Sequence, residues 1–174
     1  MITTQDIFNI SNQKQFEKIA LKVFRFQYEN NQVYREFCDL LHTEKGSVKS
    51  LQQIPFLPIQ FFKSHSVISN SGSIQETFTS SGTTGINTSK HFVTDLTVYE
   101  QSYRNAFSEF YGNIQDYTVL ALLPSYLERA GSSLIYMIND LIALSEDVNS
   151  GFYLDNYDEL ILKLIELDSS NKNV

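Results

Sequence analysis

Apolar residues recur at helical spacing between residues 13 and 28, where Phe16, Ile19, Ala20, Val23 and Phe24 are interleaved with Lys14, Glu17, Lys18 and Lys22. The pattern predicts an amphipathic helix that docks its apolar side, with Ser11 or Asn12 placed to cap its start. A second stripe, Val33, Tyr34, Phe37, Cys38 and Leu41, predicts another helix, ended by Gly46 after His42 and Lys45. Cys38 lies on this stripe and therefore reads as a buried structural thiol rather than a nucleophile. His42 reads as a charge partner for the helix end rather than a ligand.

The run from Ile54 to His65 is apolar but carries Pro55 and Pro58, which exclude a helix interior and a central strand. An extended, largely buried crossing segment is expected. Val67-Ile68, a turn at Asn70-Ser71-Gly72, and Ile74 to Thr79 read as a hairpin, and Phe92-Val93 as a short strand. Asp95 is placed to cap a helix presenting Val98, Tyr99, Tyr103, Ala106, Phe107 and Phe110. Tyr117 to Leu123 is a continuous apolar run stopped by Pro124, which suits a strand covered on both faces in a parallel sheet. A helix around Leu134 to Leu144 is apolar almost all round and is expected to be buried. Gly151 to Leu154 predicts a last strand, and Asp155 caps a helix with Tyr157, Leu160, Ile161, Leu164 and Ile165 on one stripe. Strand and helix alternate from about residue 117, so the class is α/β: N-terminal helices, then a partly parallel sheet with flanking helices.

Candidate chemistry concentrates in Glu76-Thr77-Phe78-Thr79-Ser80-Ser81-Gly82-Thr83-Thr84-Gly85. Its glycines expose backbone amides without Cβ crowding, and its hydroxyls can donate to phosphate oxygens, as an anion cradle requires. The same composition also describes an ordinary polar surface loop. Gly82 and Gly85 stand too close together for a Walker A loop, and no Gly-Lys-Ser/Thr follows, which sets that class aside.

Net charge −7 and a pI near 4.9 argue against a nucleic-acid backbone as partner. No apolar run reaches the roughly 18 residues of a membrane span. Met1 to Asp6 shows neither a basic n-region nor an apolar h-region, so the chain reads as cytoplasmic. With one cysteine there is no internal disulfide and no cysteine-based metal cluster. At 174 residues the chain is long enough for one domain with its own core or for half of a larger one.

The order Thr79-Ser80-Ser81-Gly82-Thr83-Thr84-Gly85 with a lysine after it resembles the phosphate-binding signature of the acyl-adenylate-forming ligase superfamily. Ile54-Pro55-Phe56-Leu57-Pro58 followed by Phe61-Phe62-Lys63 is similar to the segment upstream of that loop in one branch, the acyl-protein synthetases of bacterial bioluminescence. Leu122 to Leu134, which includes Glu128 and Arg129, is similar to the same branch. The likeness runs from about Leu51 to about Leu144.

The resemblance implies the N-terminal part of an adenylate-forming ligase fold: a helical lead-in over about 1–46, a phosphate-loop region over about 47–93 and an α/β region over about 94–168. It implies ATP and Mg²⁺ as cofactors, a fatty or related carboxylic acid as substrate, and a thiol on a protein or carrier as acyl acceptor. Ser80, Ser81, Gly82, Thr83, Thr84 and Gly85 would wrap the β- and γ-phosphates, and Lys90 would add a cation, although Ile86 to Ser89 set it farther from the second glycine than in many relatives. His65 and His91 are candidates by proximity alone. Phe61, Phe62, Tyr126 and Met137 fit an acyl pocket as well as they fit core packing.

The aromatic-Gly-x-Thr-Glu motif, the ribose-binding aspartate, the hinge and the catalytic lysine of the superfamily have no counterpart after Leu144. The acyl-accepting cysteine of the branch is not matched by Cys38, and no catalytic residue is assigned. The chain is thus expected to be an N-terminal portion that does not adenylate alone. Two other readings stay open: a catalytically incomplete binding or scaffold domain pairing with a separate subunit that brings the missing motifs, and a plain structural α/β domain.

Overall fold

The computed structural model describes residues 2–69, 72–80, 88–123, 131–170 and 173–174. The chain is a mixture of helices and small sheets, an α/β arrangement that divides into two compact units, Met1–Val98 and Tyr99–Val174. No described helix is long and apolar enough to cross a membrane.

In the first unit α1 (Thr4–Phe8) and α2 (Gln13–Asn30) lead into α3 (Gln32–Leu40). Asn12 caps α2 by accepting from the Gln15 amide, while Ser11 bonds the Gln15 side chain instead. Asn31 separates α2 from α3 and serves both. Its amide donates to the Gln27 carbonyl at 2.8 Å, and its Oδ1 accepts from the Tyr34 amide at 3.0 Å. The stripes of the two helices meet in a core of Phe24, Tyr34, Cys38 and Val48, with Leu21, Tyr28, Phe37, Ile54 and Leu57 packed against it. Phe24 and Tyr34 meet edge to face at 6.2 Å, and the Tyr34 hydroxyl donates to the Pro55 carbonyl at 2.6 Å. This bond ties the proline segment to the helix pair.

Helix α3 stops before Gly46. His42 takes the left-handed conformation (φ 54°), and the Thr43 amide closes the helix end on the Cys38 carbonyl at 2.9 Å. The proline segment also differs from expectation. It is not largely buried, since Phe56 is 83% and Ile59 71% exposed, and after Pro58 it turns into the short helix α4 (Phe61–Ser64).

The expected partner of the strand ending at Thr79 is corrected as well. β1 (Glu76–Thr79) pairs antiparallel with β2 (Lys90–Val93), in register Glu76 to Val93 and Thr79 to Lys90, and not with Val67-Ile68. A local hairpin is the cheaper closure, but the β-branched and aromatic residues of 77–79 find a longer match in 90–93. Gln75 seals the open end: its amide donates to the Val93 carbonyl at 2.8 Å and its Oε1 accepts from the Leu96 amide at 2.9 Å. Asp95 caps α5 (Leu96–Tyr111) through the Thr97 amide and hydroxyl, as its position in sequence predicts.

In the second unit β3 (Leu120–Leu122) and β4 (Gly151–Tyr153) pair in parallel across α6 (Ser133–Ser145), the expected βαβ crossover. β3 is shorter than its apolar run and is not covered on both faces, because Leu122 is 43% exposed. Within α6 only Leu141 and Ser145 are buried, so a helix apolar all round leaves most of its surface half-covered. Arg104 of α5 makes two hydrogen bonds to Asp140 of α6, at 2.8 and 2.6 Å, and Tyr136 donates to Glu100 at 2.6 Å. These bonds lock the two helices together. The closing helix α7 (Tyr157–Ser169) starts at Asn156 rather than Asp155, with Asn156 holding the Leu154 amide and the Glu159 carboxylate.

Candidate functional site

The Ser/Thr/Gly run is carried between the two strands of the β1–β2 hairpin. Ser81, Gly82, Thr83, Thr84 and Gly85 lie outside the described residues, as do Tyr126, Glu128 and Arg129. What is described is the base that holds the run. One step beyond the Thr79–Lys90 rung, the Ser80 amide donates to the Ser89 carbonyl at 3.1 Å. The Ser89 amide in turn donates to Ser80 Oγ at 3.0 Å. Both bonds fix where the chain leaves β1 and where it enters β2.

Ser80 thus serves the base of the loop with its amide and accepts with its hydroxyl oxygen. Lys90 is exposed on the first residue of β2, directly across from Thr79. Ser80, Ser89 and Lys90 thus stand together at one end of the hairpin, and a lysine and serines are residue types that can contact an anionic phosphate. Among the described residues no cluster of three or more His, Cys, Asp and Glu side chains is placed to hold a metal. Ser89 was not singled out by sequence reasoning. It stands in the tail of the polar run, and only the hairpin register, a long-range feature, shows that it is half of the clamp.

The two histidines are engaged in packing. The His65 ring stacks on Phe61 at 5.0 Å, with its Nδ1 2.8 Å from Ser64 Oγ, and His91 meets Phe62 edge on at 5.8 Å. Phe61 packs against Phe37 as well, at 5.6 Å. Cys38 is fully buried, and burial pushes its thiol pKa up, away from the range of a reactive thiolate.

Behind the hairpin the first unit contains a cavity of about 950 Å³. Its walls come from α1, α2, the stretch around Leu51 to Leu57, Phe62 and the residues His91 to Asp95. β2 is therefore shared: its first residue stands at the base of the candidate phosphate loop and the following ones line the cavity. Sequence patterning does not reveal such a space, because the same apolar side chains serve equally well as core.

Comparison with known proteins gives the family. Over 85 residues, 48% of this chain and 22% of the relative, the sequence is 33% identical to a long-chain-fatty-acid–luciferin-component ligase of Vibrio harveyi. Over 71 residues, 40% of this chain and 60% of the relative, it is 35% identical to the protein of the same name from Photorhabdus luminescens. The matched region spans about a fifth of the first relative and three fifths of the second. No solved structure matches the chain. Residues 1–107, more than half of the 174, match the family described as acyl-protein synthetase, LuxE, and the chain belongs to that family.

Proposed function

We propose that this chain provides the triphosphate-binding hairpin of an ATP-dependent ligase that activates a long-chain carboxylic acid as its acyl adenylate and passes the acyl group to a thiol. The observation that carries the reading is the Ser80–Ser89 clamp, which holds the ends of a Ser/Thr/Gly run on the strand register in a chain of the acyl-protein synthetase family. The named relatives are long-chain-fatty-acid ligases, which supports the substrate class.

ATP supplies the adenylyl group, with pyrophosphate as its leaving group: a carboxylate oxygen bonds to the α-phosphorus as the bond to the β-phosphate bridge breaks. The chain's part is electrostatic. Amides and hydroxyls of Ser81 to Gly85, with the Ser80 hydroxyl and Lys90 beside them, hold the β- and γ-phosphates and neutralise charge that grows on the leaving pyrophosphate, while the Ser80 amide stays on the Ser89 carbonyl. On this reading Mg²⁺ arrives on the phosphate oxygens. The thiol acceptor then attacks the acyl carbonyl and AMP leaves.

The experiment is pyrophosphate exchange, made on a polypeptide that joins this chain to the downstream motifs of the superfamily. Labelled pyrophosphate is expected to enter ATP only when a fatty acid is present, and Thr83→Ala with Thr84→Ala should reduce the rate at least ~10²-fold, the scale of losing preorganised donors. An unchanged rate in the double variant would overturn the assignment of the loop.

A further inference from the structure

The cavity behind the hairpin has features that a mere packing gap lacks. Its volume of about 950 Å³ is at the upper end of the roughly 300–1,000 Å³ of small-molecule sites. Aromatic side chains among its lining residues remain in water, Phe16 at 47% and Phe56 at 83% exposed. Several of its polar groups are already engaged. The Asn31 amide group donates to Ser69 Oγ and accepts from the Tyr34 amide, and the Asp95 carboxylate is bound by the amide and hydroxyl of Thr97. Such walls ask little of a ligand in hydrogen bonds, and burial of apolar surface is what they offer.

The charge along β2 gives the space a direction. Lys90, which precedes the lining residues in sequence, stands beside the loop clamp, and Asp95 is the lining residue farthest along the chain from it. An anionic head is repelled at one end and accepted at the other, and an aliphatic chain fits between them.

We propose that this cavity holds the aliphatic chain of a long-chain carboxylic acid, with the carboxylate toward His91 and the phosphate-loop clamp and the tail between α2 and the Leu51–Leu57 segment. The inference rests on the ligase reading above and adds where the acid's chain is held. Phe62, which lines the cavity and meets the His91 ring, sets the width at the head end, and Ala20 on α2 leaves open the space that the tail fills.

The test uses the 174-residue chain and the fluorescent probe cis-parinaric acid, displaced by octanoic, tetradecanoic or octadecanoic acid. Tetradecanoic acid is expected to displace the probe and octanoic acid to do so poorly. Ala20→Trp, which fills the cavity, should weaken displacement by at least ~10-fold, with thermal unfolding unchanged or raised. Phe62→Ala should shift the preference toward octadecanoic acid, and it decides the matter if Ala20→Trp does not fold. Binding undiminished in Ala20→Trp, a preference unmoved in Phe62→Ala, or no binding of any acid to the unaltered chain would overturn the inference. Inorganic pyrophosphate, titrated separately, keeps the two claims distinct. A chain that binds pyrophosphate at the loop but no acid refutes the cavity assignment alone. A chain that binds acid in the cavity but no pyrophosphate refutes the ligase reading.

Discussion

Ser80 and Ser89 hold each other across the mouth of the polar run: the amide of the first donates to the carbonyl of the second at 3.1 Å, and the amide of the second to the hydroxyl oxygen of the first at 3.0 Å. The second bond depends on a side chain, so it can be removed without touching the backbone. Ser80→Ala leaves the Ser89 amide without that partner, at a cost of about 1 kcal/mol. Hydrogen exchange of the Ser89 amide should then quicken about fivefold, the rate factor for that energy. Unchanged exchange would show that the clamp does not hold the loop.

Asn31 ends one helix and begins the next, and its side-chain nitrogen reaches Ser69 at 3.3 Å. Asn31→Ala is expected to lose about 1–2 kcal/mol in urea unfolding, the upper range for a buried cap. Asn31→Ser keeps a neutral oxygen acceptor able to cap at the Tyr34 amide and gives up the bond to Ser69, so its loss should be the smaller. Equal losses would mean that the cap contributes nothing.

Cys38 is fully buried, and burial raises its thiol pKa. A thiol reagent such as Ellman's should label the chain only after denaturant is added, and Cys38→Ala should leave any acyl transfer intact. Rapid labelling of the folded chain would contradict the burial. Cys38→Ser places a hydroxyl in an apolar core and should cost about 1–3 kcal/mol.

How much of this was legible in the sequence depended on range. The α2 and α3 stripes and the Asp95 cap follow from neighbours a few residues apart and stand where the pattern puts them, and the strand–helix–strand order of β3, α6 and β4 is found as well, although β3 keeps only Leu120–Leu122 of its apolar run. The partner of β1 did not follow, because Val67-Ile68 before a Gly-containing turn carries a local hairpin signal, whereas the pairing with 90–93 closes a longer loop. His42 hid the end of α3, since the left-handed position that usually goes to glycine is taken by a residue with a Cβ. The Ser80–Ser89 clamp and the cavity depend on register and on three-dimensional closure, for which a one-dimensional pattern has no term.

Arg104 and Asp140 meet in a fork of two bonds, and the Asp140 carboxyl is held below the usual carboxylate range by Arg104 first and by Tyr103 as well, against the opposing effect of burial. A lowered folded pKa means that the unfolded chain binds the extra proton. The contribution is complete above the unfolded value of about 3.9 and is lost as pH falls through the lower folded value. The Arg104 side chain is 40% exposed, so solvent screening limits the pair to about 1 kcal/mol. Asp140→Asn should therefore lower stability at neutral pH and flatten its acid slope. A slope identical to that of the unaltered chain would count against the pair.

The most direct measurement is a titration of inorganic pyrophosphate with Mg²⁺ into the isotopically labelled chain, followed by amide NMR. The account predicts shifts concentrated in residues 80–85 and at Ser89 and Lys90, and their disappearance in Thr83→Ala with Thr84→Ala. Shifts spread over unrelated surface, or none within 80–90 at saturating pyrophosphate, would contradict it.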